Sequence, residues 1–217
     1  MKRLFLSVLL LVALLFSVVL AEGYEVGDTL FFGHYEQDND ASDGWEPIEW
    51  YVLDKRADGS YLLISRYALD CKPYKTPGTE TNWDKSLLRF WLNEEFFIRA
   101  FNSGEQESIA LSLVAADNGE IEGYEAGTDT MDKVFVFGFS QSLKYLSDSD
   151  WEFCAPTAFA AANGVKQSED MEVDGKGACW YWLRSVSANH IAYHSPGPGF
   201  DVNAAGVRPV IWAYVKP

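Results

Sequence analysis

The residues able to do chemistry are few, and they are scattered. "ACWYWLRS" (178–185) sets Cys179 close to Arg184. No second cysteine lies within four residues of any other, so a CxxC redox pair or a zinc knuckle is absent from the sequence. A lone apolar-flanked cysteine behaves as a small buried hydrophobe, and Cys179 is read as structural. His190 and His194 have H-x3-H spacing. On a strand, with a rise of about 3.3 Å per residue, they stand roughly 13 Å apart and cannot share one ion. "DNDASDG" (38–44) offers Asp38, Asp40 and Ser42, with Glu49 at the twelfth position of a calcium-loop count. Asp43 stands where that loop needs glycine, and the flanks read as strands. Glu46-Pro47-Ile48 lacks the third ligand of a sugar-binding calcium triplet. Gly138-Phe139-Ser140-Gln141-Ser142 misses the second glycine of a nucleophile elbow. No metal, no cofactor and no catalytic set are expected. Arg184 and Arg208 are read as strand ties that pair with buried carboxylates, Glu49 being the first candidate, because a buried charge persists only when paired; the alternative is an anion site at the surface.

What positions these residues follows from the whole chain of 217 residues. Lys2 and Arg3 precede an apolar run to Leu20, and Val19-Leu20-Ala21 fits a peptidase site, so residues 1–21 read as a signal peptide. Uncleaved, the same run is the one part of the chain that would meet a membrane. Residues 22–217 then form a single exported domain, secreted, periplasmic or on the cell surface, with a net charge of −17. Such a surface repels phosphate backbones, so nucleic acid is not an expected partner. Eight Trp, eleven Tyr and fourteen Phe imply a dense aromatic core, with Trp50, Trp91, Trp182 and Trp212 inside it. Of the three cysteines, Cys154 and Cys179 are the preferred disulfide pair, although spacing alone does not fix connectivity.

The first third predicts an antiparallel meander. Its strands are 28–35, 47–54, with Ile48, Trp50 and Val52 on one face, and 61–65. The middle predicts helices: one capped by Asp84 and carrying Leu87, Leu88, Trp91 and Leu92, one opened by Ser103 and Gln106, one capped by Ser140, and one beginning at Pro156. Between them, 117–129 is a polar Gly-rich loop and 133–139 a strand. The last third returns to strands at "CWYWLRS", "NHIAYHS" and "GVRPVIWAYV", with Pro209 near a strand start. Strands at both ends with helices between them predict an α+β fold.

"GDTLFFGHYEQD", "EPIEWYVLD", "LLISRYALDCKPY", "SLLRFWLN", "CWYWLRS" and "AGVRPV", in that order, resemble a bacterial exported family, domain of unknown function 6273. A Trp-rich strand ending in Arg-Ser, a variable stretch, and then Gly-Val-Arg-Pro-Val resemble the closing segment of C-type lectin-like and formylglycine-generating domains. That second resemblance covers about residues 179–215. It implies that the first and last strands pair and that the intervening loops form a binding face carrying Asn189, His190, Tyr193, His194, Asp201 and Asn203. The expected function is a non-enzymatic binding module for a glycan, a peptide or a surface protein. The alternatives are an enzyme on the formylglycine-generating scaffold, or a structural envelope component without a small ligand.

Overall fold

The computed structural model describes residues 23–77, 81–118, 125–185 and 205–217. The chain is mixed α and β, and its main sheet is antiparallel throughout. β1 (Thr29–Tyr35), β2 (Glu46–Lys55) and β3 (Tyr61–Ser65) form the predicted meander. Alternation places Ile48, Trp50 and Val52 on one face of β2, and all three are fully buried. The Trp50 indole N–H donates to the Phe32 carbonyl at 2.7 Å, so its one polar atom is satisfied inside the core.

A bulge between Phe31 and His34 bends β1. Gly33 sits in it at φ +71°, where a Cβ would stand 2.6 Å from the Phe101 ring and 2.8 Å from the Ala100 carbonyl. Only glycine lets the strand approach the helical segment so closely.

β4 (Asp70–Cys71) follows, then a 3-10 turn at Trp83–Lys85. Ser86, rather than Asp84, caps α1 (Leu87–Trp91): its hydroxyl accepts from the Arg89 N–H at 3.1 Å. The 3-10 turn holds Asp84, which moves the cap two residues on. A π-helical turn, Leu92–Phe96, joins α1 to α2 (Phe97–Ala100), so the Leu88, Leu92, Phe96 and Ala100 face stays buried through a break in the α ladder. Trp91 is only half-buried, a departure from the expected core, because it flanks that stripe instead of lying on it. In α3 (Ser103–Ser108) the capping box is Asn102 with Glu105, one residue ahead of the expected Ser103 and Gln106.

β5 (Ser112–Val114) pairs with β6 (Thr130–Asp132), and β7 (Val134–Phe135) joins the main sheet. The strand expected over 133–139 is that short because Arg184 takes the next two carbonyls, Val136 through its guanidinium and Phe137 through its backbone N–H. α4 is Phe139–Tyr145, with Gly138 at the cap position in place of Ser140. α5 is Ala158–Ala162, capped by Thr157, so Pro156 precedes the cap instead of opening the helix.

β8 (Gln167–Val173) and β9 (Lys176–Cys179) form a hairpin that stops where "CWYWLRS" was expected to continue as a strand. Within 180–185 the one β-like pairing among the described residues is the single bridge from Tyr181 to Gly206. Tyr181 through Ser185 are all buried, so neither side of that stretch faces water and alternation carries no face information. β10 (Gly206–Val207) pairs with β4, and Arg208-Pro209 breaks the run before β11 (Val210–Ala213). The main sheet has the order β1-β2-β3-β11-β7. The last strand therefore lies between β3 and β7 and does not pair with the first. β1 pairs only with β2 within that sheet, and beyond the ladder its Gly33 N–H donates to the Glu105 carboxylate of α3 at 3.1 Å.

Candidate functional site: a polar groove floored by Arg184

An open groove of about 600 Å³ lies between the end of β5 and the first turn of α4. Its floor is Arg184, which is 4% exposed. The guanidinium donates to the Ala115 carbonyl from Nε at 3.3 Å and from Nη2 at 3.2 Å, and to the Val136 carbonyl from Nη1 at 3.0 Å. Nη1 also reaches Gln141 Oε1. These acceptors are neutral, not the carboxylates expected from sequence. Burial pulls the Arg184 pKa down to about 10, with the nearby Asp117 charge acting the other way. The side chain therefore keeps its charge at neutral pH, and it holds two separate stretches of backbone and the Gln141 side chain to one point.

The walls are built from local chemistry. The Asp117 carboxylate accepts from the Ser140 N–H at 3.1 Å, which favours a negative group at the start of α4. A Cβ on Gly138 would stand 2.2 Å from Asp117 Oδ2, so a side chain there would push the Asp117 carboxylate out of its present place. Ser185 Oγ accepts from the Phe139 N–H, locking the Arg184 stretch to the same helix start. Asn118, Ser140, Gln141 and Ala126 complete the lining. The lip is apolar: Leu113 is 64% exposed and stands directly across the β5–β6 ladder from Met131, itself half-exposed. The groove thus offers amide, hydroxyl and carboxylate groups beside an apolar edge, over a buried positive charge.

The sequence alone does not point to the groove. "GFSQS" fits a helix cap at Ser140 and fails as a nucleophile elbow, and 117–129 fits a polar, Gly-rich loop. Its members come from separated stretches, and the local signals were the polar composition of that loop and the Gly138 before Ser140.

The residues that were read divide in two. Asn189, His190, Tyr193, His194, Asp201 and Asn203 lie outside the described residues. Glu49, Arg184, Arg208, Cys154 and Cys179 lie within them, and Glu49 and the two arginines have partners other than those expected. Glu49 pairs with Arg66 at 2.8 Å, and Arg66 also meets Asp174 at 2.9 Å, tying the turn between β8 and β9 to the main sheet. Arg208 is 1% exposed and has no carboxylate partner among the described residues. Its Nε donates to the Ser65 carbonyl at 2.9 Å, its Nη1 to the Trp151 carbonyl at 2.8 Å and more weakly to Glu152 at 3.4 Å, and its cation lies 5.2 Å from the Tyr181 ring centre. Arg208 ties strands as expected, through carbonyl oxygens and an aromatic face. Glu49 is taken by Arg66 because the Arg66 backbone N–H already donates to the Glu49 carbonyl, which sets the two side chains together.

Cys154 and Cys179 are neighbours but not a disulfide. Their sulfurs are 3.9 Å apart, and the Cys179 N–H donates to the Cys154 carbonyl at 2.8 Å. Contact with Cys154 and burial push the Cys179 thiol well above the usual range, so it is held neutral and is a poor nucleophile.

With this geometry in hand, comparison with known proteins is informative at one level. A family described as "Domain of unknown function (DUF6273)" matches residues 58–214. The chain belongs to that family. No curated protein and no solved structure matches it. The DUF6273 match begins just before β3, yet β1 and β2 precede it in the same sheet and bury Leu30, Ile48, Trp50 and Val52 against the matched core.

Proposed function

We propose that this DUF6273 protein is an exported binding module and that the groove over Arg184 receives a hydroxyl-rich ligand, a glycan, in preference to a peptide or a folded surface protein. The observation that carries the reading is the lining: Asn118, Ser140, Gln141 and Asp117 present donors and acceptors beside the apolar Leu113 edge. A sugar ring has both characters, hydroxyls around its rim and C–H groups on its face, and such sites combine a few placed polar groups with apolar walls. Ser185, which follows Arg184, holds the start of α4 through the Phe139 N–H, and Asn189, His190, Tyr193, His194, Asp201 and Asn203 follow it in sequence. The resemblance of residues 179–215 to C-type lectin-like domains points the same way. The basic start and apolar run of residues 2–21 support export. Among the described residues, no helix is long and apolar enough to cross a membrane.

The test is a glycan and peptide array probed with the protein, followed by titration of any hit against two variants. Asn118→Ala with Leu113→Ser should weaken glycan binding about tenfold or more, equivalent to about 1.4 kcal/mol, with the melting temperature held. Tyr193→Ala with His194→Ala should act in the same direction. A hit that both variants bind like wild type places the ligand elsewhere, and an array on which only peptides are retained overturns the glycan assignment.

A further inference from the structure

The β1–β2 connection gathers five acidic side chains, Glu36, Asp38, Asp40, Asp43 and Glu46, within eleven positions. Three of them, Glu36, Asp38 and Glu46, bring one carboxylate oxygen each to within 4.8 Å of the others. An acidic cluster alone is ordinary surface. What sets this one apart is Glu36. Its side chain is buried, the residue being 8% exposed, and neither carboxylate oxygen has a hydrogen-bond partner. The peptide N–H groups of Asn39 and Asp40 face it without meeting hydrogen-bond geometry. A buried carboxylate in this condition requires a proton or a cation, because the bare charge is expensive to keep out of water.

We propose that the β1–β2 connection holds a Ca²⁺ ion between Glu36, Asp38 and Glu46. The backbone is already committed to presenting these groups. Asp38 Oδ1 accepts from the Asp40 N–H at 2.8 Å, and Glu46 Oε2 accepts from the Gln37 N–H at 2.6 Å, so the exposed Asp38 and half-buried Glu46 carboxylates are held in place and each keeps its second oxygen for a ligand. Gln37 reinforces the closure by donating through its amide to the Glu46 and Pro47 carbonyls. Asn39, at φ +68°, turns the chain back between the ligands. Among the described residues no ion pair neutralises the three. Arg99 is turned away onto the face of Trp45, 5.1 Å from the ring centre.

The ligand chemistry favours calcium over magnesium. Ca²⁺ takes six to eight oxygens at about 2.3–2.6 Å in adaptable geometry, which suits carboxylates carried on a connection between strands, whereas Mg²⁺ demands near-ideal octahedral geometry at about 2.1 Å and gives up its waters reluctantly. Three carboxylates also leave room for water and carbonyl ligands, which the larger, more adaptable ion accepts. The arrangement is not the calcium loop counted from Asp38 in the sequence. Glu36 lies before that frame, Glu46 takes the closing role, and Glu49 is bound to Arg66. The role for the ion is to close the β1–β2 end of the sheet, independent of the groove over Arg184.

The experiment is calorimetric titration of the metal-stripped protein with CaCl₂ and separately with MgCl₂, with Tb³⁺ emission excited through Trp45 as a second readout. Wild type should bind one Ca²⁺, with an affinity of about millimolar or tighter, and melt at a higher temperature when loaded. Glu36→Gln should weaken Ca²⁺ binding about tenfold or more, since the site loses charge and a ligand. The metal-free variant should melt no lower than the metal-free wild type, which shows that it folds. Asp40→Asn, which alters a carboxylate outside the three, should keep most of the affinity. Absence of heat and of a melting shift overturns the proposal, as does Glu36→Gln binding like wild type. A response to Mg²⁺ alone overturns the choice of ion.

Discussion

Arg208→Ala is the substitution whose cost can be followed most closely from contacts. Truncation removes the donor held by the Ser65 and Trp151 carbonyls. Glu152 is affected less, because its carbonyl also accepts from the Tyr181 hydroxyl at 2.9 Å. Each buried carbonyl that loses its donor costs about 1–3 kcal/mol, so the two together give about 2–6 kcal/mol. The void left by the arginine stem adds roughly 1–2 kcal/mol. Against this stands the desolvation of a guanidinium with no carboxylate beside it, whose removal returns on the order of 2–4 kcal/mol. The net expectation is a loss of about 1–4 kcal/mol. Arg208→Met keeps most of the volume while leaving the same carbonyls unserved, and should lose about 1–2 kcal/mol less than the alanine variant. Urea unfolding followed by tryptophan fluorescence, with the slope compared between variants, measures both. An alanine variant within about 1 kcal/mol of wild type would refute the role assigned to the carbonyl contacts. A methionine variant less stable than the alanine one would show that the void is unimportant. If stability is untouched while ligand capture disappears, Arg208 belongs to a binding site.

Other outcomes follow from burial. Trp50→Ala and Trp182→Ala should each cost about 3–5 kcal/mol, while Trp91→Ala, at a half-buried position, should cost about 1–2 kcal/mol in the same assay; equal losses would mean that the helical face is misplaced. Thiol labelling of the native protein should modify half-buried Cys71 first and reach Cys154 and Cys179 only on unfolding. Failure to recover those two thiols after denaturation without reductant would show that they are joined.

Local order was legible where one physical signal dominated. The limits of β3 agree with the expected 61–65 because Gly59 and the polar turn bound a continuous apolar run. The Ile48, Trp50 and Val52 face was legible because β2 has one buried side. Capping was harder. Ser103 and Gln106 fit the box pattern as well as Asn102 and Glu105 do, and only the backbone phase distinguishes them. "CWYWLRS" misled because burial on every side erases period. Partner choice failed for Arg208 because it depends on which strand lies alongside, and β11 lies beside β3, where carbonyls and not Glu49 are within reach. The groove needed tertiary structure outright, since 113–118, 126, 140–141 and 184 share no local pattern.

The position of β11 has a consequence for how the chain reaches this state. The strand that bridges β3 to β7 is Val210–Ala213, and the Arg208–Ser65 bond that accompanies it joins residues 143 apart in sequence. The meander can assemble early from near neighbours, but β3 then presents an unpaired edge until residues 206–213 arrive. Closing so long a loop costs entropy before the contacts return it, so the last step of sheet formation should be slow relative to the meander. During that interval the β3 edge is a template for strands from other molecules. Refolding yield should therefore fall as protein concentration rises, and a short β11-like peptide added during refolding should compete for the open edge.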